Sequence, residues 1–342
     1  MLPDLLQEIN QNRLTALQEA GVPVKPPLVG VVAGHGAHRG GEPAVLLFNA
    51  GESRPSFRLK LAHAPAGEAR LMHEYRALQD MQAVAALQES TPRPVEIFRF
   101  EGSLVLIVTF LPGASLKTLF HRSQRARIEQ LRRGLFLVQV WIQLLQTSTA
   151  IGAVQFPSGS AVAQRLTRLQ QAGWDVSSLS RAFVERLMND AHAHRELRVP
   201  LAGRHGDLQL NHVMLDGHRV HVIEWGRFVR GATPFDDVFQ VALDLSQLDG
   251  SLYPERQASV QSFCTGFLER SWQANLIAEY VSHYLQAMHL PEQAAHLFFS
   301  LFLMDMCLAD TANGDRQAGR ASGRWHILAT YAEHEQHSVF CR

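Results

Sequence analysis

HGDLQLNHVMLDGHRVHVIEWG, His205 to Gly226, is the stretch on which the reading of this chain turns. Its arms HVML and RVHVI flank Asp216-Gly217, a residue pair that a tight two-residue hairpin connection favours. Asp207 stands just before the first arm and Glu224 just after the second. An antiparallel hairpin brings its two ends together, so the pattern predicts two neighbouring carboxylates that are distant in sequence. Such a pair suits a catalytic base plus a metal ligand.

The texture on either side differs. Residues 1–22 read as one amphipathic helix with Leu5, Ile9, Leu14 and Leu17 near helical spacing, ended by Gly-Val-Pro at 21–23. It would serve as a lid or an extra helix on the first lobe. PLVGVVAG (27–34), AVLLFNAG (44–51) and PSFRLKLA (55–62) then predict an antiparallel meander. A helix over 67–87 carries Leu71, Tyr75, Leu78 and Met81 on one side, and PVEIFRFEG (94–102) with SLVLIVTFL (103–111) predicts a hairpin through a Glu-Gly turn.

Pro112-Gly113 breaks this pattern. Beyond it, helices are expected at 125–146, 160–172, 179–195, 235–247, 254–288 with a break, and 291–313, with the quoted hairpin as the β interruption. TANGDRQAGRASGRW (311–325) reads as an exposed loop. The expected class is α+β: an N-terminal helix (1–24), a small β-rich lobe with one helix (25–111) and a larger, mostly helical lobe (112–342). That order is the layout of the two-lobed protein-kinase-like fold, although fold alone does not establish function.

Composition narrows the function classes. Lys plus Arg and Asp plus Glu balance at 32 each among 342 residues, so no net field draws the chain to nucleic acid or an anionic membrane. A charged ligand must be held by a local site. The 17 His are scattered; His192, His194 and His205 form the one grouping of interest, and no zinc cage is expected there. Cys264, Cys307 and Cys341 lie far apart, which predicts thiols without a disulfide. The N-terminus lacks a signal-peptide run and no uncharged window reaches membrane-spanning length, so the cytoplasm is the expected compartment.

The quoted stretch resembles the Brenner-type motif of the aminoglycoside phosphotransferase and choline kinase family, commonly HGDLHPGNILVDG followed by a VIDWG-like strand end. More distantly it is similar to the kinase HRD and DFG motifs. The resemblance implies Asp207 as catalytic base, His205 as the brace of its loop and Glu224 as a metal ligand. Aligned without gaps, the family's Asn falls on His212, and a loop shorter by one residue would put Asn211 there instead. By residue type alone, His212 reads as a loop histidine bonded to backbone.

The likeness extends over residues 25–310. PFDDVFQVA (234–242) resembles the family's PxxDLA segment, which implies that Asp237 anchors the catalytic loop. LVLIVTFLPGASL (104–116) resembles its strand and hinge, which implies adenine binding at Thr109, Phe110 and Leu111. Lys60 then becomes the phosphate-binding lysine and Glu74 its ion-pair partner. By alternation with Phe57, Leu59 and Leu61, Lys60 suits either face of its strand. GHGAHRGG (34–41) is glycine-rich enough to approach phosphates but matches no fingerprint.

Together these imply an ATP-dependent phosphotransferase, with Mg2+ or Mn2+, acting on a hydroxyl of a sugar, amino alcohol, antibiotic or related metabolite. The C-terminal helices show no dense acidic cluster, so a polycationic acceptor is not favoured. The competing expectation is a catalytically impaired kinase-like protein that binds nucleotide or a partner as a regulator or scaffold. Asp305, set in the apolar stripe LFFSLFLMDMC, reads as a helix-edge acid or an acceptor-facing one.

Overall fold

The computed structural model describes residues 2–33, 44–119, 124–155, 159–248, 255–312 and 323–341. The glycine-rich segment 34–41 and most of the expected loop at 311–325 lie outside them. In chain order the first elements are α1 (Leu2–Asn12), α2 (Leu14–Glu19), β1 (Val29–Ala33), β2 (Ala44–Phe48), β3 (Pro55–Ala62), α3 (Pro65–Gln82), β4 (Pro94–Phe100), β5 (Ser103–Thr109) and β6 (Ala114–Ser115). Then come α4 (Leu116–Leu119), α5 (Gln124–Thr149), β7 (Gly152–Gln155), α6 (Gly159–Gln171), α7 (Arg181–Ala193), β8 (Arg198–Arg204), β9 (Val213–Asp216), β10 (Arg219–Val222) and β11 (Val229–Ala232). The remainder is helical: α8 (Asp236–Ser246), α9 (Glu255–Phe263), a π turn (Cys264–Leu268), α10 (Trp272–Ala287), α11 (Ala295–Ala312) and α12 (Gly323–His334). The class is α+β, as expected.

Two compact units share the chain. One holds Met1–Leu116, His205–Asp207 and Asn211–Val229; the other holds Lys117–Arg204, Leu208–Leu210 and Arg230–Arg342. The first is built on an antiparallel sheet in the order β1-β2-β3-β5-β4. Alternation along β3 sends Phe57, Leu59 and Leu61 into a cluster with Leu5, Ile9, Leu17, Val105 and Ile107, which leaves Arg58 and Lys60 on the opposite face. The N-terminal segment is therefore a cover for the sheet. It is two helices, not one, because Arg13 leaves helical geometry and bonds both Glu8 and Glu96 on β4.

Glu101 and Gly102 join β4 to β5 with φ of 46° and 80°, the left-handed pair that a hairpin twist requires. Helix α3 stops at Gln82, short of the expected Leu87. In the β9–β10 hairpin Asp216 pairs with Arg219, so the turn residues are Gly217-His218 rather than Asp216-Gly217. β6 adds to the far edge of this hairpin through Ala114 and Ser115. Gly113 makes that approach possible, since its φ is 111° and a Cβ there would lie 2.5 Å from the Leu215 carbonyl oxygen.

The second unit is mostly helical but contains β7, β8 and β11, which form one sheet. These strands and β6 depart from the expectation that the quoted hairpin would be the β interruption in an otherwise helical region after Pro112. They are short and carry little period-2 signal, and their pairing is set by distant segments, as in Val154 opposite Val199. The core is aromatic: Phe263 and Phe267 stack at 4.8 Å, and Phe267 stacks on Phe299 of α11 at 4.8 Å. Each such buried ring contributes about 2–3 kcal/mol from apolar burial. The break expected within 254–288 is the π turn, after which the Ser271 hydroxyl caps α10 by accepting from the Ala274 N–H. Cys264, Cys307 and Cys341 are free thiols, and burial pushes Cys307 up to about 12. No described helix is long and apolar enough to cross a membrane.

One buried polar cluster ties this unit together. His296 on α11 points Nδ1 at Asp190 on α7 (3.0 Å) and Nε2 at Glu335 (2.5 Å). Arg186 lies 4.0 Å from Asp190 and 3.9 Å from Glu335. Burial opposes a charge on the ring, but the two carboxylates outweigh it and raise the His296 pKa above its ordinary value. A folded-state pKa that is raised gives stability that is complete below the unfolded pKa, about 6.5, and is lost as pH rises through the folded value. Thermal unfolding should therefore show a midpoint that falls as pH rises above about 6.5, and His296→Gln should lower the midpoint at about pH 6 and flatten the fall. An unchanged slope in the variant would assign the pH dependence to other groups.

Candidate active site

Residue alternation on β3 and the placement of α3 behind it bring Lys60 to Glu74. The ammonium lies 2.7 Å from Glu74 Oε1 and 2.8 Å from Oε2, with side chains only 5% and 4% exposed. Its third bond, also 2.8 Å, goes to Glu224 Oε2. A lysine ammonium has three donors, and all three are used. Glu74 Oε1 additionally accepts the Trp225 backbone N–H at 3.2 Å, so one carboxylate holds both the lysine and the segment after β10.

Glu224 is held from the other side as well, because Arg58 reaches its Oε1 at 2.8 Å. Burial works against ionisation of Glu224, but Lys60, Arg58 and His212 outweigh it and hold its carboxyl well below the usual carboxylate range. Its backbone sits at φ 70°, a left-handed conformation that costs a non-glycine residue about 1–2 kcal/mol. The two ion pairs keep it there. Arg58 carries no motif signal, although its position two residues before Lys60 on an alternating strand puts it on the same face.

The loop carrying Asp207 is braced by His205. That imidazole is fully buried, with Nε2 3.0 Å from the Ile223 carbonyl oxygen and Nδ1 accepting the Asp207 backbone N–H at 3.3 Å. A carbonyl only accepts, so Nε2 carries the proton. Burial, helped by His212, pushes the ring down to about 4 against the pull of Asp207 and Glu224, which keeps it neutral near pH 7. Trp225 packs edge-on against it at 5.0 Å, itself fully buried and donating its indole N–H to the Val222 carbonyl. Gly206 lets the loop pass: at φ 80°, a Cβ would lie 2.3 Å from the Arg227 carbonyl oxygen.

His212 donates Nδ1–H to the Asp207 carbonyl oxygen at 2.8 Å, with Asp207 Oδ2 3.9 Å away. Asn211 is exposed at the start of the hairpin. Among the described residues no group of three or more His, Cys, Asp and Glu side chains is gathered to cage a metal ion. In the second unit, Asp237 is buried on α8 and Asp244, on the same helix, accepts the Leu210 N–H at 2.6 Å. Asp244 thus makes a loop contact of the kind the resemblance implied for Asp237. An acid seven residues on, set between Leu243 and Leu245, is the signal that could have found it. Arg204, paired with Asp236, has no such signal, and Asp305 is engaged by Arg165 through two 2.9 Å bonds.

Arg58, Lys60, Glu74 and Glu224 line a slot with Val108, Thr109, Phe110 and Leu111, whose enclosed volume is about 40 Å³. The Thr109 and Phe110 amides are spent on the Arg93 and Ser56 carbonyls at 2.9 Å each.

No curated protein sequence matches the chain significantly. Several solved structures share limited likeness. A thermostable mutant of aminoglycoside phosphotransferase APH(4)-Ia, in ternary complex with ADP and hygromycin B, is 16% identical over 93% of this chain and 98% of that one, with a TM-score of 0.49. A choline/ethanolamine kinase family protein from Mesorhizobium loti is 15% identical over 96% and 98%, at 0.49. Aminoglycoside phosphotransferase APH(3'')-Id from Streptomyces rimosus is 16% identical over 85% and 96%, at 0.44. The model of the phosphotransferase enzyme family matches residues 35–257, well over half of the length, and the chain belongs to that family.

Proposed function

We propose that this protein is an ATP-dependent phosphotransferase acting on a hydroxyl of a small molecule, with Asp207 as catalytic base. One observation carries the reading: the buried Lys60 ammonium held by Glu74 and Glu224 against the 109–111 segment. A buried ion pair is a weak source of stability, since apolar residues of similar volume often do as well. A ligand phosphate gives such a charge a use.

The roles follow from the geometry. Lys60 would hold the nucleotide phosphates, and the Leu111 amide would meet the base. Neutral His205 ties the Asp207 amide to the Ile223 carbonyl, and the Asp207 side chain keeps 25% of its surface open to receive a hydroxyl proton. A magnesium ion usually binds through one or two protein oxygens together with substrate phosphates and water. Glu224, ionised, and the exposed Asn211 amide fit that modest demand, whereas the His212 nitrogen facing the loop is committed to Asp207. The ion would neutralise charge on the transferred phosphoryl group.

The competing reading, a catalytically impaired nucleotide binder, is favoured by the full commitment of both Glu224 oxygens to Arg58 and Lys60. Turnover separates the two. ATP with Mg2+ or Mn2+ should raise the thermal midpoint, and a panel of sugars, amino alcohols and hydroxylated antibiotics should contain a compound that drives ADP release. Asp207→Asn should keep the ATP-induced shift while lowering turnover about 10²–10⁴-fold. Full activity in that variant removes Asp207 as the base; a shift without turnover for any acceptor favours the impaired form. Lys60→Met should abolish the shift and destabilise the fold by about 3–5 kcal/mol, because it strands Glu74.

A further inference from the structure

Arg58 lines the slot at Lys60 and bridges across it to Glu224. Arg58 shares a strand face with Lys60 and stands cross-strand from Val108. From there its guanidinium spans to Glu224 Oε1 at 2.8 Å. The slot measures about 40 Å³, well below the roughly 300–1,000 Å³ of pockets that hold small molecules.

The walls differ in how readily they move. Val108 and Thr109 belong to β5, and Lys60 with Glu74 forms a buried pair whose separation would strand a charge. Arg58 and Glu224 keep 26% and 29% of their side-chain surface exposed, so their bridge opens into water at small cost. Arg58 is also long and unbranched. The left-handed backbone of Glu224 persists only while its surroundings over-determine it, and Arg58 is one of the two cations that do so.

We infer that Arg58 is a gate: its bridge to Glu224 narrows the slot, and nucleotide enters only when that bridge opens. The inference rests on the slot being the nucleotide site, but the gate itself is testable without nucleotide. Val108, 3% exposed, lines the slot, so Val108→Cys reports access through alkylation by iodoacetamide, located by mass spectrometry apart from the native thiols.

Adding Arg58→Ala should accelerate alkylation at position 108 roughly tenfold, the factor expected when a slot open in about one molecule in ten becomes open in all. Glu224→Ala, which removes the acceptor at the other end of the bridge, should accelerate it as well. Circular dichroism would show that each variant keeps its fold. Unchanged alkylation in both variants overturns the gate. In calorimetry with ATP and Mg2+, Arg58→Ala on the otherwise natural chain should bind roughly tenfold more tightly than the parent. Weaker binding overturns the gate and makes Arg58 a nucleotide contact. Faster alkylation with no ATP binding by either protein keeps the gate and removes the nucleotide reading instead.

Discussion

The Lys60 ammonium, saturated by Glu74 and Glu224, is the interaction on which the first unit's buried charge cluster depends. It joins a strand of the sheet, the helix that follows it and, 164 residues from Lys60, the residue after the hairpin. Each partner is costly alone, because a buried charge without its counterion is a larger penalty than the pair is a gain. The three residues therefore constrain one another. Glu74 extends the constraint to the backbone of Trp225, so the end of β10 is placed by the same carboxylate that places the lysine.

A second, uncharged bracket works alongside it. His205 spans from the Asp207 amide to the Ile223 carbonyl, and its neutrality is what allows one nitrogen to accept and the other to donate. A protonated ring would have two donors and nothing for the Asp207 amide. Burial beneath Trp225 secures the neutral form, so an apolar packing contact settles the protonation state and the protonation state settles the loop. Gly206 permits this closeness where any side chain would collide with the Arg227 carbonyl.

Much of this is legible in the residues because the signals are local. Alternation identifies β3, the Glu-Gly pair identifies the turn between β4 and β5, and the apolar arms around Asp216 identify the hairpin, although its turn lies one residue further on. The acids at the two ends of that hairpin are recognisable from spacing. Less visible are β6, β7, β8 and β11, whose few residues acquire strand geometry only from partners elsewhere in the chain. The break at Arg13 is equally hidden, since its cause is Glu96 on a strand that lies far along the sequence.

The sequence by itself determined the longer elements, the α+β order and the identity of the charged groups, because period, turn chemistry and residue type act over a few residues. Tertiary structure decided which charges meet. That Arg58 turns to Glu224, that His212 spends its proton on the Asp207 carbonyl, and that Asp244 catches the Leu210 amide are outcomes of long-range packing. The reason is physical: a carboxylate in a low-dielectric setting takes the cation or donor that folding brings within reach, and reach is a property of the packed chain rather than of any short stretch.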